Sequence, residues 1–286
     1  MLVGGALLWG LAVGVLLATG DQYVAGAVVM GTFVVPLSLW VRFAGGESLP
    51  GVDQQLMARL FAGGGLLGFL ASALVEGPLT SQPAAVFDGS VGVIEEAAKL
   101  AVLAFMARHL AEKTTRSGFV LGGLVGLGFS AFESAGYALA SALSSGGAGH
   151  ALVESVLTRA AITPFTHGLW TAIAGAALFA CSRNGRYRAA PLAVAALLGV
   201  AAVHACWDLM PNVATELSAL LAGTPSARAT GLGTTLLDDA GQAILSLPLL
   251  YVAYRLTPRR RPSIDRVPAS ALATVASAGP VDRHAA

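Results

Sequence analysis

Two adjacent glutamates and a lysine lie inside an otherwise apolar stretch of this chain, residues 91–100. Each charge placed at the centre of a membrane helix costs about 2.5–3.5 kcal/mol. Glu95, Glu96 and Lys99 fall within five residues of one another. Because three such charges are costly to insert together, their presence indicates that they serve a function. Buried carboxylates of this kind are suited to taking a proton from water.

Later apolar stretches carry further polar residues, and pairs of them are spaced four apart. Glu133 and Tyr137 form one such pair, and His204 and Asp208 form another. Residues at this spacing share one helix face. With the topology derived below, Glu95, Glu133, His167 and His204 all lie roughly 6 to 12 Å beneath the outer surface. This common depth predicts that they meet in one site.

The residue types in this set predict hydrolysis. Two imidazoles with carboxylates can bind a hydrolytic metal, with one carboxylate left as general base. The same groups could hold a water without metal, with a glutamate as base and the histidines beside the developing oxyanion. Both readings give attack of water on a carbonyl. They leave open the metal and the choice between Glu95 and Glu96 as base.

Composition places the whole set in a membrane protein. The chain has 286 residues, of which 55% are hydrophobic and 12% charged, and a mean hydropathy of +0.71. Soluble domains carry about 25% charged residues. The prediction is an all-α, polytopic helical bundle of about eight spans, with no nucleic-acid partner. Spans need about 20 apolar residues, and we place them at 2–19, 23–41, 60–76, 87–107, 118–141, 160–181, 189–208 and 235–256.

The basic residues divide between alternate loops of this eight-span topology. One set of loops and the tail hold nearly all of them, whereas the other set holds only Arg159 and Arg228. The positive-inside rule then places both termini in the cytoplasm of a cell membrane. Richness in alanine, glycine and arginine suggests a bacterial source. Residues 1–257 are predicted to form the bundle, and residues 258–286 a disordered cytoplasmic tail.

Four short motifs resemble those of the PrsW family of intramembrane proteases. They are Glu95-Glu96-Ala97-Ala98-Lys99, Phe132-Glu133-Ser134-Ala135-Gly136-Tyr137, Pro164-Phe165-Thr166-His167 with Trp170-Thr171-Ala172, and His204-Ala205-Cys206-Trp207-Asp208. They occur in order, each in its own span, within a motif-bearing core of residues 85–256. The family is related to CAAX-prenyl proteases and bacteriocin-processing proteins. Lys99 and Asp208 depart from the arginine and the usual asparagine of that larger group, which argues against a CAAX substrate.

The resemblance implies a glutamate-dependent endopeptidase that cuts a membrane-anchored protein, for example an anti-sigma factor, near the extracytoplasmic boundary. Glu95 and Glu96 would activate water, while His167 and His204 would hold water, metal or oxyanion. Asp208 would orient His204 or add a ligand, so a divalent metal such as zinc, if used, would be bound by His167, His204 and Asp208. The supporting residues would be Lys99, Glu133 as its partner, Tyr137 and Asp208.

Two other classes of protein remain compatible with the sequence. Intramembrane glutamate, histidine and aspartate also form proton relays in transporters. A non-catalytic immunity or scaffold protein could share the fold, since fold does not fix function. Asp238 and Asp239 have two readings as well, because the dipole at the start of a helix favours carboxylates there. Substrate and oligomeric state do not follow from the sequence.

Overall fold

The computed structural model describes residues 1–44, 49–147, 149–223 and 232–256, and within these ranges the chain is helical, without a β-strand. The helices are α1 (Leu2–Thr19), α2 (Gln22–Val29), α3 (Val34–Ala44), α4 (Gln54–Arg59), α5 (Gly65–Glu76), α6 (Ala84–Met106), α7 (Thr115–Ser144), α8 (Gly149–Ala180), α9 (Pro191–Ala222) and α10 (Leu232–Leu256). A 3-10 turn joins α2 to α3, and a π-helical turn joins α4 to α5. The predicted all-α architecture is therefore confirmed.

Five helical segments of the described chain are long and apolar enough to cross a membrane. They are Leu2–Thr19, Tyr23–Arg42, Gln54–Leu79, Thr115–Ser144 and Pro191–Ala222. The other three predicted spans coincide with α6, α8 and α10, which have the length but carry more polar and charged side chains. The count of eight thus stays a prediction, and the predicted tail lies outside the described residues.

Helix α8 begins well before its predicted start at residue 160. It runs from Gly149, so Arg159 lies inside the helix and not in a loop. The prediction placed Arg159 in the loop before the span, because an unpaired arginine is costly in a bilayer. The arginine is tolerated in the helix because Glu133 of α7 pairs with it.

Glycines let α7 pack directly against the backbone of α8. A Cβ added at Gly122 would collide with the carbonyl oxygen of Thr171, and one added at Gly126 with that of His167. This is the use predicted for small residues four apart in membrane helices. Because the contacted carbonyls belong to Thr171 and His167, the same packing fixes the position of two polar residues on α8.

A second close helix pair joins α6 to α9 through Gly92. A Cβ at Gly92 would lie 2.5 Å from the carbonyl oxygen of Ala201 and 2.6 Å from the nitrogen of Ala205. Glu96 lies one turn after Gly92, and His204 lies next to Ala205. The backbone contact therefore brings the glutamate pair of α6 opposite the histidine of α9.

The connections that follow α6 and α8 are held together by one lysine. Lys113 Nζ donates hydrogen bonds to the carbonyl oxygens of Leu110 (2.7 Å), Gly185 (2.7 Å) and Arg108 (3.1 Å). Its ammonium also lies 4.8 Å from the centre of the Tyr187 ring. Burial lowers the pKa of Lys113 and raises that of Tyr187. These contacts connect the segment that follows α6 with the segment that follows α8.

Candidate active site

Glu95, Glu96 and Lys99 form a buried charge cluster on one face of α6. Lys99 Nζ donates to Glu95 Oε2 at 3.1 Å and to Glu96 Oε1 at 2.7 Å. Exposure of all three residues is 3% or less. Their i, i+3 and i, i+4 spacing makes the contacts possible within one helix. The ammonium also lies 4.0 Å from the centre of the Phe129 ring on α7.

His167 of α8 lies between a cation and an anion. Lys99 Nζ is 2.9 Å from His167 Nδ1. Because an ammonium can only donate, Nδ1 accepts and the ring hydrogen belongs on Nε2. Nε2 lies 3.3 Å from Glu133 Oε2, which also accepts a 2.6 Å hydrogen bond from Arg159 Nη2. The expected pairing of Glu133 with Lys99 is wrong, because Arg159 on the adjacent helix is the direct partner.

His204 of α9 is held in a similar way. Its Nδ1 lies 3.0 Å from Glu96 Oε1, a carboxylate oxygen that can only accept, so Nδ1 carries the hydrogen. The Trp170 ring lies over the imidazole, with 4.3 Å between ring centres. In the neutral ring, Nε2 then presents a lone pair. Nε2 lies 3.4 Å from Asp208 Oδ2, which is buried and makes no hydrogen bond within the protein.

One nitrogen of each histidine faces the same carboxylate oxygen. Glu95 Oε2 lies 3.8 Å from His167 Nδ1 and 3.7 Å from His204 Nε2. One ligand atom from each of these three residues lies within 4.8 Å of the others. Four polar groups predicted at one depth, Glu95, Glu133, His167 and His204, are thus brought together.

The three converging residues have the chemistry of a metal site. Two histidines and a glutamate form a known ligand set of catalytic zinc. A carboxylate lies against the far nitrogen of each ring, as is usual for metal-bound histidines. The residues present therefore fit a divalent metal, with Glu95 beside His167 and His204. Asp208, predicted as a ligand, lies beside His204 but outside this group, and 28% of its side chain is exposed.

Two residues at the site were not selected from the sequence. Thr171 is fully buried and its hydroxyl donates to Glu96 Oε2 at 3.3 Å. Arg159 belongs to an outer loop in the predicted topology, and the signal that could have selected it is that only two basic residues fall in that set of loops. The guanidinium of Arg159 also lies 3.8 Å from the centre of the Tyr137 ring. Tyr137, which is 55% exposed, thus contacts the arginine that pairs with Glu133.

A cavity of about 380 Å³ lies beside the site, between α8, α9 and α10. Its lining is mainly apolar and consists of Ile162, Phe165, Thr166, Trp207, Gln242, Ala243 and Ser246. Thr166 and Trp207 are the chain neighbours of His167 and Asp208. Asp238 accepts a 3.0 Å hydrogen bond from Gln242 within α10. The side chain of Asp239 lies outside the described part of the chain.

Comparison with known proteins gives one family. Residues 53–230 match the model of a family described as PrsW family intramembrane metalloprotease. The match covers more than half of the chain and includes every motif residue discussed above. No curated protein and no solved structure gives a match. With the apolar helices and the buried carboxylate–histidine cluster, the match shows that the chain belongs to the PrsW family of intramembrane metalloproteases.

Proposed function

We propose that this protein hydrolyses a peptide bond of a membrane-anchored protein, with Glu95 at the reaction centre. The observation that carries the proposal is the position of Glu95 Oε2, which lies 3.7 Å from His204 Nε2 and 3.8 Å from His167 Nδ1. These three side chains are buried. Glu95 is the carboxylate that lies near both rings, whereas Glu96 contacts His204 and Glu133 contacts His167. Water attack on a carbonyl is the chemistry that such a set supports.

The two adjacent glutamates have different roles in this proposal. Glu96 Oε1 contacts Lys99 and His204, and its Oε2 accepts from Thr171. With both oxygens engaged by the protein, Glu96 serves to orient His204 and to hold Lys99. Glu95 is the carboxylate that faces the histidines, so it takes the proton of the attacking water in the absence of a metal.

The family description supports a divalent metal, and Glu95, His167 and His204 are the residues that would hold it. When bound, the metal would act as a Lewis acid and lower the pKa of a water molecule. Glu95 is then occupied as a ligand. Asp208 carries the nearest buried carboxylate oxygen without a hydrogen bond, and it is the group placed to accept the water's proton.

Lys99 contributes a fixed positive charge beside the reacting groups. Its ammonium is bonded to Glu95, Glu96 and His167. A fixed cation stabilises negative charge that develops on a carbonyl oxygen during water attack. It also balances the two adjacent carboxylates, which would otherwise repel each other in a medium of low dielectric.

The location of cleavage and the class of substrate follow from the topology. The distribution of basic residues between alternate loops supports a topology with both termini in the cytoplasm and the site close to the extracytoplasmic boundary. The composition supports a bacterial cell membrane. A single-pass protein anchored in the same membrane, such as an anti-sigma factor, would present its cleavable segment at that depth.

The test compares membrane proteomes of cells that express the wild type, Glu95→Gln or Glu154→Gln at equal levels. Glu154 is an exposed residue of α8 and serves as the matched control. We expect new N-termini of single-pass proteins, near their outer membrane boundary, with the wild type and the control only. Identical profiles for all three strains under several stresses would instead favour ion-coupled transport, to be measured as flux in sealed vesicles.

A further inference from the structure

Arg159 is a partly buried cation that the proposed reaction does not use directly. It lies on α8, two helical turns before His167, and 23% of its side chain is exposed. Its Nη2 donates to Glu133 Oε2 at 2.6 Å, and its guanidinium packs on the Tyr137 ring at 3.8 Å. Two different groups of α7 therefore fix the guanidinium, and the guanidinium in turn fixes the carboxylate of Glu133.

The oxygen that Arg159 holds is the one that faces His167. Glu133 Oε2 lies 3.3 Å from His167 Nε2. A buried carboxylate is stable only when it is paired and hydrogen-bonded. Arg159 thus keeps Glu133 as an anionic acceptor against Nε2, while Lys99 occupies Nδ1 at 2.9 Å from the other side.

His204 has the same arrangement, built from different residues. Its Nδ1 lies 3.0 Å from Glu96 Oε1, and that oxygen accepts from Lys99 at 2.7 Å. Each histidine therefore has a carboxylate on its far nitrogen, and each carboxylate has a cation behind it. In both rings, the other nitrogen faces Glu95 Oε2, and in His167 that nitrogen also accepts from Lys99.

We propose that Arg159 is a positioning residue for His167: by holding Glu133 against Nε2, it fixes the ring in the orientation that places Nδ1 beside Glu95 and Lys99. The inference rests on the proposed function only in giving Nδ1 a role at the reaction centre. A carboxylate that orients a metal-binding histidine is worth 10–100-fold in metal affinity or activity. Arg159 acts one step further back, through that carboxylate.

The first measurement is the position and the hydrogen bonding of the His167 ring hydrogen, read by ¹⁵N NMR on the full chain with labelled histidine in detergent micelles. The His167 signals are those missing from His167→Gln. We expect hydrogen on Nε2 in the wild type and in Arg42→Gln, a control at an exposed arginine of α3. In Arg159→Gln the hydrogen bond from Nε2–H to Glu133 should weaken, which moves the Nε2–H signals toward those of a ring without a carboxylate partner, with Arg159→Lys between the two. An unchanged ring in Arg159→Gln would overturn the inference.

The second measurement is zinc affinity of the same variants, which does not depend on finding a substrate. We expect a roughly 10-fold loss in Arg159→Gln, at the lower end of the range for residues behind a ligand, and none in Arg42→Gln. Equal affinities would contradict the inference. If Arg159→Gln does not fold, Glu133→Gln removes the charge that Arg159 holds, and unchanged Nε2–H signals there would also overturn it. Absence of cleavage by the wild type would contradict the proposed function but not the positioning role of Arg159.

Discussion

Substituting Gly92 by alanine tests whether the contact between α6 and α9 sets the geometry of the site. The added Cβ would lie 2.5 Å from the carbonyl oxygen of Ala201, whereas ordinary contact begins at 3.4 Å. The obstacle is backbone and cannot rotate away. The two helices must therefore separate by about 0.9 Å at this point.

That separation can be converted into expected effects. The bond between Glu96 and His204 would lengthen from 3.0 Å to roughly 3.9 Å, beyond hydrogen-bonding distance. Misplacement of a reacting group by about 1 Å costs about 100-fold in rate. Overpacking costs about 1–3 kcal/mol of folding free energy, partly offset by the roughly 1 kcal/mol that alanine gains over glycine in a helix.

Gly89→Ala is the matched control, three residues earlier on the same helix. A Cβ at Gly89 meets nothing within 4 Å. We expect this variant to be stabilised by about 0.4–1 kcal/mol through the unfolded chain, with cleavage unchanged. The assay is cleavage of a reconstituted substrate, together with denaturation in the same detergent. If Gly92→Ala cleaved at the wild-type rate and were stabilised like Gly89→Ala, the close contact of α6 with α9 would not exist.

Three further predictions concern the ammonium, the metal and the connecting segments. Lys99→Met should lower unfolding free energy by about 3–5 kcal/mol, because two buried carboxylates lose their cation; Lys99→Arg should lose less, and equal losses would argue against a charge effect. Chelation should abolish cleavage, and zinc should restore it in the wild type but not in His204→Gln; activity that resists chelation would support the metal-free mechanism. Lys113→Met should lower the free energy of unfolding by about 1–3 kcal/mol, with cleavage per folded molecule unchanged. A changed turnover would show that the segments joined by Lys113 are coupled to the site.

Contacts within one helix could be predicted from the sequence. Periodicity alone gives Lys99 beside Glu95 and His204 beside Asp208, because residues four apart share a face. The common depth of the polar groups also predicted their convergence. The all-helical fold and the family are confirmed.

Contacts between helices were harder to predict, because they depend on how two faces rotate against each other. The resemblance gave Lys99 as the partner of Glu133, whereas the packing of α7 on α8 brings Arg159 to this carboxylate. The choice of Glu95 as the carboxylate between the histidines likewise depends on Gly92, which lets α9 approach that face of α6. Hydropathy does not contain this information.

The two glycine-mediated helix contacts divide the site into halves. Helices α6 and α9 supply Glu95, Glu96 and His204, and helices α7 and α8 supply Glu133 and His167. Each pair is fixed internally by backbone contact, whereas between the pairs the polar groups touch only through side chains. The site is thus assembled at a seam. A small slide along it would uncouple the two histidines while both helix pairs stayed intact, so loss of activity without loss of helix content is the expected signature of damage there.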